Sequence, residues 1–159
     1  MQGSGAPWAG EDYGNSHSMA MAGCGPTAAA IIASAYNAQI TPSTVRQAIV
    51  SKYGLGNHSS ASVMKEVLGN MLPNVKLEIA NFNENKIKSC LENSGQVWFV
   101  VQQCKYTSGA HCMALVDYKE PGMVYVAHGS AKSRPYGWDK ISYLKSYNKY
   151  SQILYVGGK

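Results

Sequence analysis

Cys24 stands between Gly23 and Gly25, with Pro26 and Thr27 next and the alanine-rich run AAAIIAS directly after. A helix selected for stability alone would open on Ser, Thr, Asp or Asn. This one opens on a thiol. The first-turn N–H groups of a helix lack intrahelical partners and the macrodipole is positive there, so a thiolate is stabilised and the thiol pKa falls below its free value of about 8.5. Gly23 and Gly25 leave the sulfur uncrowded and let a substrate backbone approach. Pro26 has no N–H to lose and fixes φ for the helix. These residue types in this order build an activated nucleophile. The competing reading, a buried cysteine that happens to precede a helix, does not account for the Gly-Cys-Gly-Pro-Thr context.

A nucleophilic thiol needs a base, and the histidines are His17, His58, His111 and His128. His111 heads an apolar strand after YTSGA, where Gly109 and its small neighbours open space around the imidazole. The segment HCMALVDYKEPGMVYVAH reads as a hairpin turned at Lys119-Glu120-Pro121-Gly122. With Glu120 and Pro121 as the loop centre, Lys119 pairs with Gly122 and Met113 falls opposite His128. Side chains alternate along a strand, so His128 shares the face of His111 as its diagonal neighbour, roughly 7–8 Å away between backbones. A one-residue bulge would break that inference. Asp117 also shares the face but lies roughly 20 Å along the strand. His58 reads as a polar loop residue and His17 as part of an N-terminal arm. No third ligand has suitable spacing for a metal beside the paired histidines, and no metal or other cofactor is expected.

These side chains need a scaffold. Residues 1–19 read as an irregular Gly- and Ser-rich arm and 20–159 as a single catalytic domain. Residues 25–37 form a buried helix, and ITPSTVRQAIVSKYG a second with Thr41 as N-cap, Pro42 at N1 and Gly54 as stop. SASVMKEVLGNML gives a third helix closed by Pro73, VKLEIA a strand, and NENKIKSCLENSG a fourth helix ending at Gly95. QVWFVVQQC is apolar enough for a central strand, the hairpin follows, WDKISYLKSY adds a helical turn, and SQILYVGG closes with a strand. Helices come first and an antiparallel sheet follows, which predicts an α+β fold in two packed layers.

The 159 residues carry 45% hydrophobic and 14% charged side chains, as expected of a globular chain with a real core. The formal charge of +5 is dispersed, with no basic arm and no nucleic-acid motif, so an anionic polymer is a better counter-surface than nucleic acid. Cys90, Cys104 and Cys112 lie in apolar runs without zinc or disulfide spacing and read as small buried hydrophobes. No apolar stretch is long enough to span a membrane. Eleven tyrosines and sixteen glycines with few charges suit a secreted or cell-wall-facing protein. The chain as given shows no export signal, which fits a domain trimmed from a larger protein.

Together, GCGPTAAAIIAS, ITPSTVRQAI, YTSGAHCMALVDY and GMVYVAHGSAKSRPYGWDKI resemble the papain-clan cysteine peptidases of the bacteriocin-processing-peptidase-like (double-glycine-leader peptidase-like) group. Trp8, Tyr13 and Gly14 resemble the arm that precedes the motif in secreted and phage-associated members, and the resemblance spans residues 8–158. It implies a papain-like fold, Cys24 as nucleophile and His111 as general base. The third position departs: relatives usually carry Asn-Asp-Pro where this chain has Ala127-His128-Gly129, so His128 falls where the orienting Asp is expected. A neutral imidazole there accepts a hydrogen bond from His111 but stabilises an imidazolium less than a carboxylate does. Relatives place an amide side chain shortly before the cysteine as oxyanion donor. Asn15 is the candidate, with Ser18 and His17 beside it and the Cys24 N–H as a second donor.

The implied activity is hydrolysis of peptide or peptidoglycan amide bonds by a monomer through an acyl-enzyme. The alternatives are a non-catalytic pseudoenzyme or peptide-binding module, a leader-peptide-processing protease, and a transamidase using the same residues. A thiol of ordinary reactivity would mark the binding module, and a ligated product with an added amine the transamidase.

Overall fold

The computed structural model describes residues 12–14, 17–18, 23–56, 58–128 and 137–158. A six-stranded antiparallel sheet runs in the order β3 (Leu77–Asn81), β8 (Gln152–Val156), β4 (Gln96–Cys104), β5 (Thr107–Lys119), β6 (Met123–Ala127), β7 (Gly137–Lys140). Among the described residues five helices pack on it: α1 (Cys24–Ala33), α2 (Pro42–Tyr53), α3 (Ala61–Met71), α4 (Glu84–Glu92) and α5 (Ile141–Tyr147). The expected α+β class is the observed one.

The layering differs from the expected pair. Alternate residues of the central strands feed two cores. Trp98, Val100, Cys112 and Ala114 pack with α1, α2 and α3. Val97, Phe99, Val101, Met113 and Leu115 pack with Ile87, Leu91, Ile141 and Leu144 of α4 and α5. With both faces covered, β4 is apolar on both, which explains the unbroken run VWFVV.

Local signals act as the side chains dictate. Thr41 and Thr44 form a reciprocal capping box at α2, with Pro42 in the first turn and Gly54 at the C-cap. Ser60 and Asn83 cap α3 and α4 through their side chains. α1 stops at Ala33, short of the expected 37: Ser34 Oγ donates to the Ile31 carbonyl at 2.8 Å, and the chain tightens into three-residue turns. α4 stops at Glu92, where Ser94 rather than Gly95 adopts positive φ. Gly95 serves close packing instead, since a Cβ there would sit 2.6 Å from Cys90 Sγ. Within the expected irregular arm, β1 (Asp12–Gly14) pairs antiparallel with β2 (His17–Ser18), a correction that local composition did not signal. Cys90 and Cys112 are buried, whereas Cys104 is only half-buried; all four cysteines are free. Among the described residues, no helix is long and apolar enough to cross a membrane.

Candidate active site

α1 begins at Cys24 without a side-chain cap or an acidic residue in its own first turn. Its N-cap is Gly23, which has no side chain to bond that turn. The first intrahelical bond is Thr27 N–H to the Gly23 carbonyl at 3.0 Å. The amides of Cys24 and Gly25 therefore precede the helical ladder, and the positive end of the dipole is left to the sulfur. Eight of the ten helix residues are buried, and small alanines let the helix sit close on the sheet. Trp98 Nε1 donates to the Gly25 carbonyl at 3.3 Å and ties this first turn to β4.

β5 presents two side chains to Cys24. β6 ends at Ala127, which pairs with Ala114, so the start of β5 runs past the end of β6. His111 reaches Cys24 there, and Cys112 reaches it from the face that α1 covers. The neighbouring Cys112 thiol, opposed by burial and aided by His111, holds the Cys24 thiol well below its ordinary value. Cys112 shifts the other way, pushed well up by its interaction with Cys24 and by burial. The opposite shifts favour the thiolate on Cys24, which has His111 and the helix start beside it, over one on Cys112.

His111 and His128 meet. His111 Nε2 lies 3.2 Å from His128 Nδ1, and the rings stand edge to face with centroids 5.1 Å apart at 90°. Both are buried, His128 completely. The route to this contact differs from the expected hairpin. Lys119 pairs with Met123, not with Gly122, because Glu120, Pro121 and Gly122 all lie in the loop. That register, continued, would have put His128 opposite Ala114 and on the wrong face. A bulge at Val116 restores it: Leu115 pairs with Val126 and Ala114 with Ala127. The expected threat to the pairing is what produces it. Behind His128, the Tyr106 ring stands edge-on at 5.6 Å, and Tyr106 Oη donates to Asp139 Oδ2 at 2.5 Å. Lys105 Nζ holds the same carboxylate at 2.8 Å. Against burial, these bonds keep the Asp139 carboxyl below its ordinary value.

The remaining candidates divide. Gly23 caps α1 and is buried. Gly109 is exposed in β5, since Thr107–Ala110 are strand and not loop, and its neighbour Ala110 lines the cleft. Ser18 lies in β2, paired with Asp12, and Asn15 lies outside the described residues. Asp117 sits beyond the bulge, its Oδ1 accepting from the Tyr118 N–H at 2.8 Å. His58 is half-buried against Tyr53, ring centroids 5.5 Å apart. Among the described residues no three His, Cys, Asp or Glu converge to hold a metal ion.

The sequence reading missed the position of Cys112. Its signal was available: a neighbour of His111 on the opposite face of the strand faces the helix that carries Cys24. The cleft itself is small, about 80 Å³, and beyond the two thiols and His111 it is lined by Ser59, Val100, Ala110, Lys149 and Tyr150.

A thiol beside an imidazole whose far nitrogen is held by a second ring is an arrangement suited to acyl transfer. A comparison with curated proteins finds no match. Among solved structures, the chain is similar to a crystal structure described as that of a C39-like peptidase from Bacillus anthracis, with TM-score 0.63 and 12% identity over 87% of this chain and 90% of that one. At that identity the likeness concerns the fold. The Peptidase_C39 like family matches residues 11–155, nearly the whole length, which supports a cysteine peptidase in general, and the chain belongs to that family.

Proposed function

We propose that the protein is a cysteine peptidase in which the Cys24 thiolate attacks a peptide carbonyl and His111 protonates the leaving amine. The observation that carries this reading is the joint position of Cys24: at a helix start without a side-chain cap, lining one cleft with Cys112 and His111. With Nε2 of His111 directed to His128, Nδ1 is the nitrogen left for the sulfur. An imidazolium at His111 donates from Nε2 to His128 Nδ1, which requires His128 to be neutral and protonated on its other nitrogen. The amides of Cys24 and Gly25 stand where they can stabilise a tetrahedral oxyanion. Loss of the amine leaves an acyl-enzyme, and water, deprotonated by His111, releases the acid and regenerates the thiol. The basic charge and tyrosine-rich composition favour extracellular or cell-wall peptide as substrate over a bacteriocin leader.

The test is the pH dependence of Cys24 alkylation by iodoacetamide, alone and with His111→Ala. A lowered thiol pKa means that the thiolate, and hence the rate, persists well below pH 8.5 and falls only as pH drops through the lowered value. His111→Ala should move that fall upward and lower peptide kcat/KM by about 10²–10⁴-fold, while Cys24→Ala abolishes turnover. His128→Asp should preserve or raise turnover, whereas His128→Ala should lower it by about ten- to a hundredfold, the weight of a buried hydrogen bond. A thiol of ordinary pKa, indifferent to His111, would mark a peptide-binding module instead.

A further inference from the structure

We propose that Lys149 determines specificity: its ammonium, at the mouth of the cleft beside Cys24, binds a carboxylate of the peptide substrate, either an acidic side chain next to the scissile bond or a free α-carboxylate. The inference rests on the peptidase reading of the same site.

The sheet register places Lys149. Asn148 bridges to Val101, and the Lys149 N–H donates to the Val100 carbonyl at 2.8 Å, so Lys149 lies opposite Val100. Val100 in turn pairs with Cys112. Lys149, Val100 and Cys112 thus form a row across neighbouring strands, on the face that the start of α1 covers. The backbone of Lys149 is roughly 10 Å from that of Cys112, two strand spacings, within reach of a lysine side chain directed at the cleft. Lys149 and Tyr150 line that cleft with Cys24 and His111. The Cys112 thiol, pushed up chiefly by its interaction with Cys24 and by burial, is drawn back by Ser59 and by the charge of Lys149.

The cation is available for a ligand. Lys52, Lys86, Lys88 and Lys105 each face a carboxylate, on Glu66, Glu78, Glu120 and Asp139. Among the described residues Lys149 has no such ion pair and lies 5.1 Å from the centroid of the Tyr150 ring. Among the described residues no carboxylate lines the cleft. Tyr150 is 50% exposed, an apolar face for the methylenes of a bound acidic residue. An anion entering beside Cys24 meets the Lys149 ammonium, which has no ion pair among the described residues; a cation meets repulsion.

The experiment compares iodoacetate with iodoacetamide as alkylators of Cys24 in the full chain, in Lys149→Ala and in Lys149→Glu. The modified peptide is counted by mass spectrometry. The reagents differ in charge, so the ratio of their rates reads the local potential and needs no peptide turnover. The ratio should fall about threefold in Lys149→Ala and about tenfold in Lys149→Glu, the scale of one unit charge lost or reversed near solvent. An unchanged ratio in both variants overturns the proposal. Peptides with Glu or Gln beside the cleaved bond, each with a free or amidated C-terminus, then separate the two sources of carboxylate. The preferred acid should lose its kcat/KM advantage in Lys149→Ala. Cleavage without preference for either acid overturns the inference and leaves the peptidase reading standing. A Lys149-dependent ratio without any cleavage supports the anion site and removes the peptidase reading.

Discussion

Cys24 has Cys112 and His111 as neighbours, and the two act differently. In the proposed mechanism His111 supplies charge and a proton for the leaving group, whereas Cys112, on the buried side, lowers the Cys24 pKa as a neutral thiol. A serine at 112 keeps a donor of similar size; an alanine removes it. Cys112→Ala should therefore raise the pH at which Cys24 alkylation falls off, while Cys112→Ser should hold it near the wild-type value. The check is the same alkylation profile used for His111. If alanine and serine behave alike, Cys112 serves packing only. His128 differs in kind: its ring meets His111, so in the proposed mechanism it positions the imidazole.

At the scale of elements, the site depends on three local departures from regular structure. α1 lacks a side-chain cap, the β5–β6 hairpin carries a bulge at Val116, and β5 extends past the end of β6. The first leaves the helix dipole to the thiol, the second turns His128 to the face of His111, and the third places His111 beyond the end of β6. Gly25 adds a steric condition, since a Cβ there would sit 2.5 Å from Ser59 Oγ and 3.2 Å from Met64 Cε. Gly25→Ala should destabilise the protein by about 1–2 kcal/mol despite the better helix propensity of alanine. Adding Ser59→Gly should recover part of that loss. Denaturant midpoints of the single and double variants measure it, and strict additivity would show that Ser59 is not the obstacle.

At the scale of the molecule, the two buried faces of one sheet carry different parts of the site. Cys112 belongs to the core under α1, α2 and α3, and Met113, beside the imidazoles, to the core under α4 and α5. Strain that separates the layers should therefore reach the site from either side. The chain's end closes this assembly at Gly157, where φ is +68° and a Cβ would collide with the Tyr36 hydroxyl, just beyond α1. Gly157→Ala should cost about 2–3 kcal/mol, from the left-handed backbone and the collision together, and lower Tm by roughly 4–12 °C. With Tyr36→Ala the collision disappears and the backbone term remains, so the cost of Gly157→Ala measured in that background should shrink without vanishing. Calorimetry on the four chains checks this.

The sequence by itself determined the helix starts and the central strand, because caps, proline positions and apolar period act within a few residues. Thr41-Pro42, Ser60, Asn83 and VWFVV are of that kind. It also singled out the candidate nucleophile, since Gly-Cys-Gly-Pro is a local statement about a helix terminus, and it pointed to His111 and His128 on one strand face, though through a register that the structure does not have. Tertiary structure decided the rest. A bulge at Val116 has no composition of its own and follows from how two strands settle into register around a three-residue loop. Cys112 looks like any buried thiol until α1 is laid across β5. Lys149 is one exposed lysine among many until the bridge at Asn148 and Val101 aligns it with the cleft. Each of these depends on contacts between residues far apart in the chain, for which short-range pattern carries no signal.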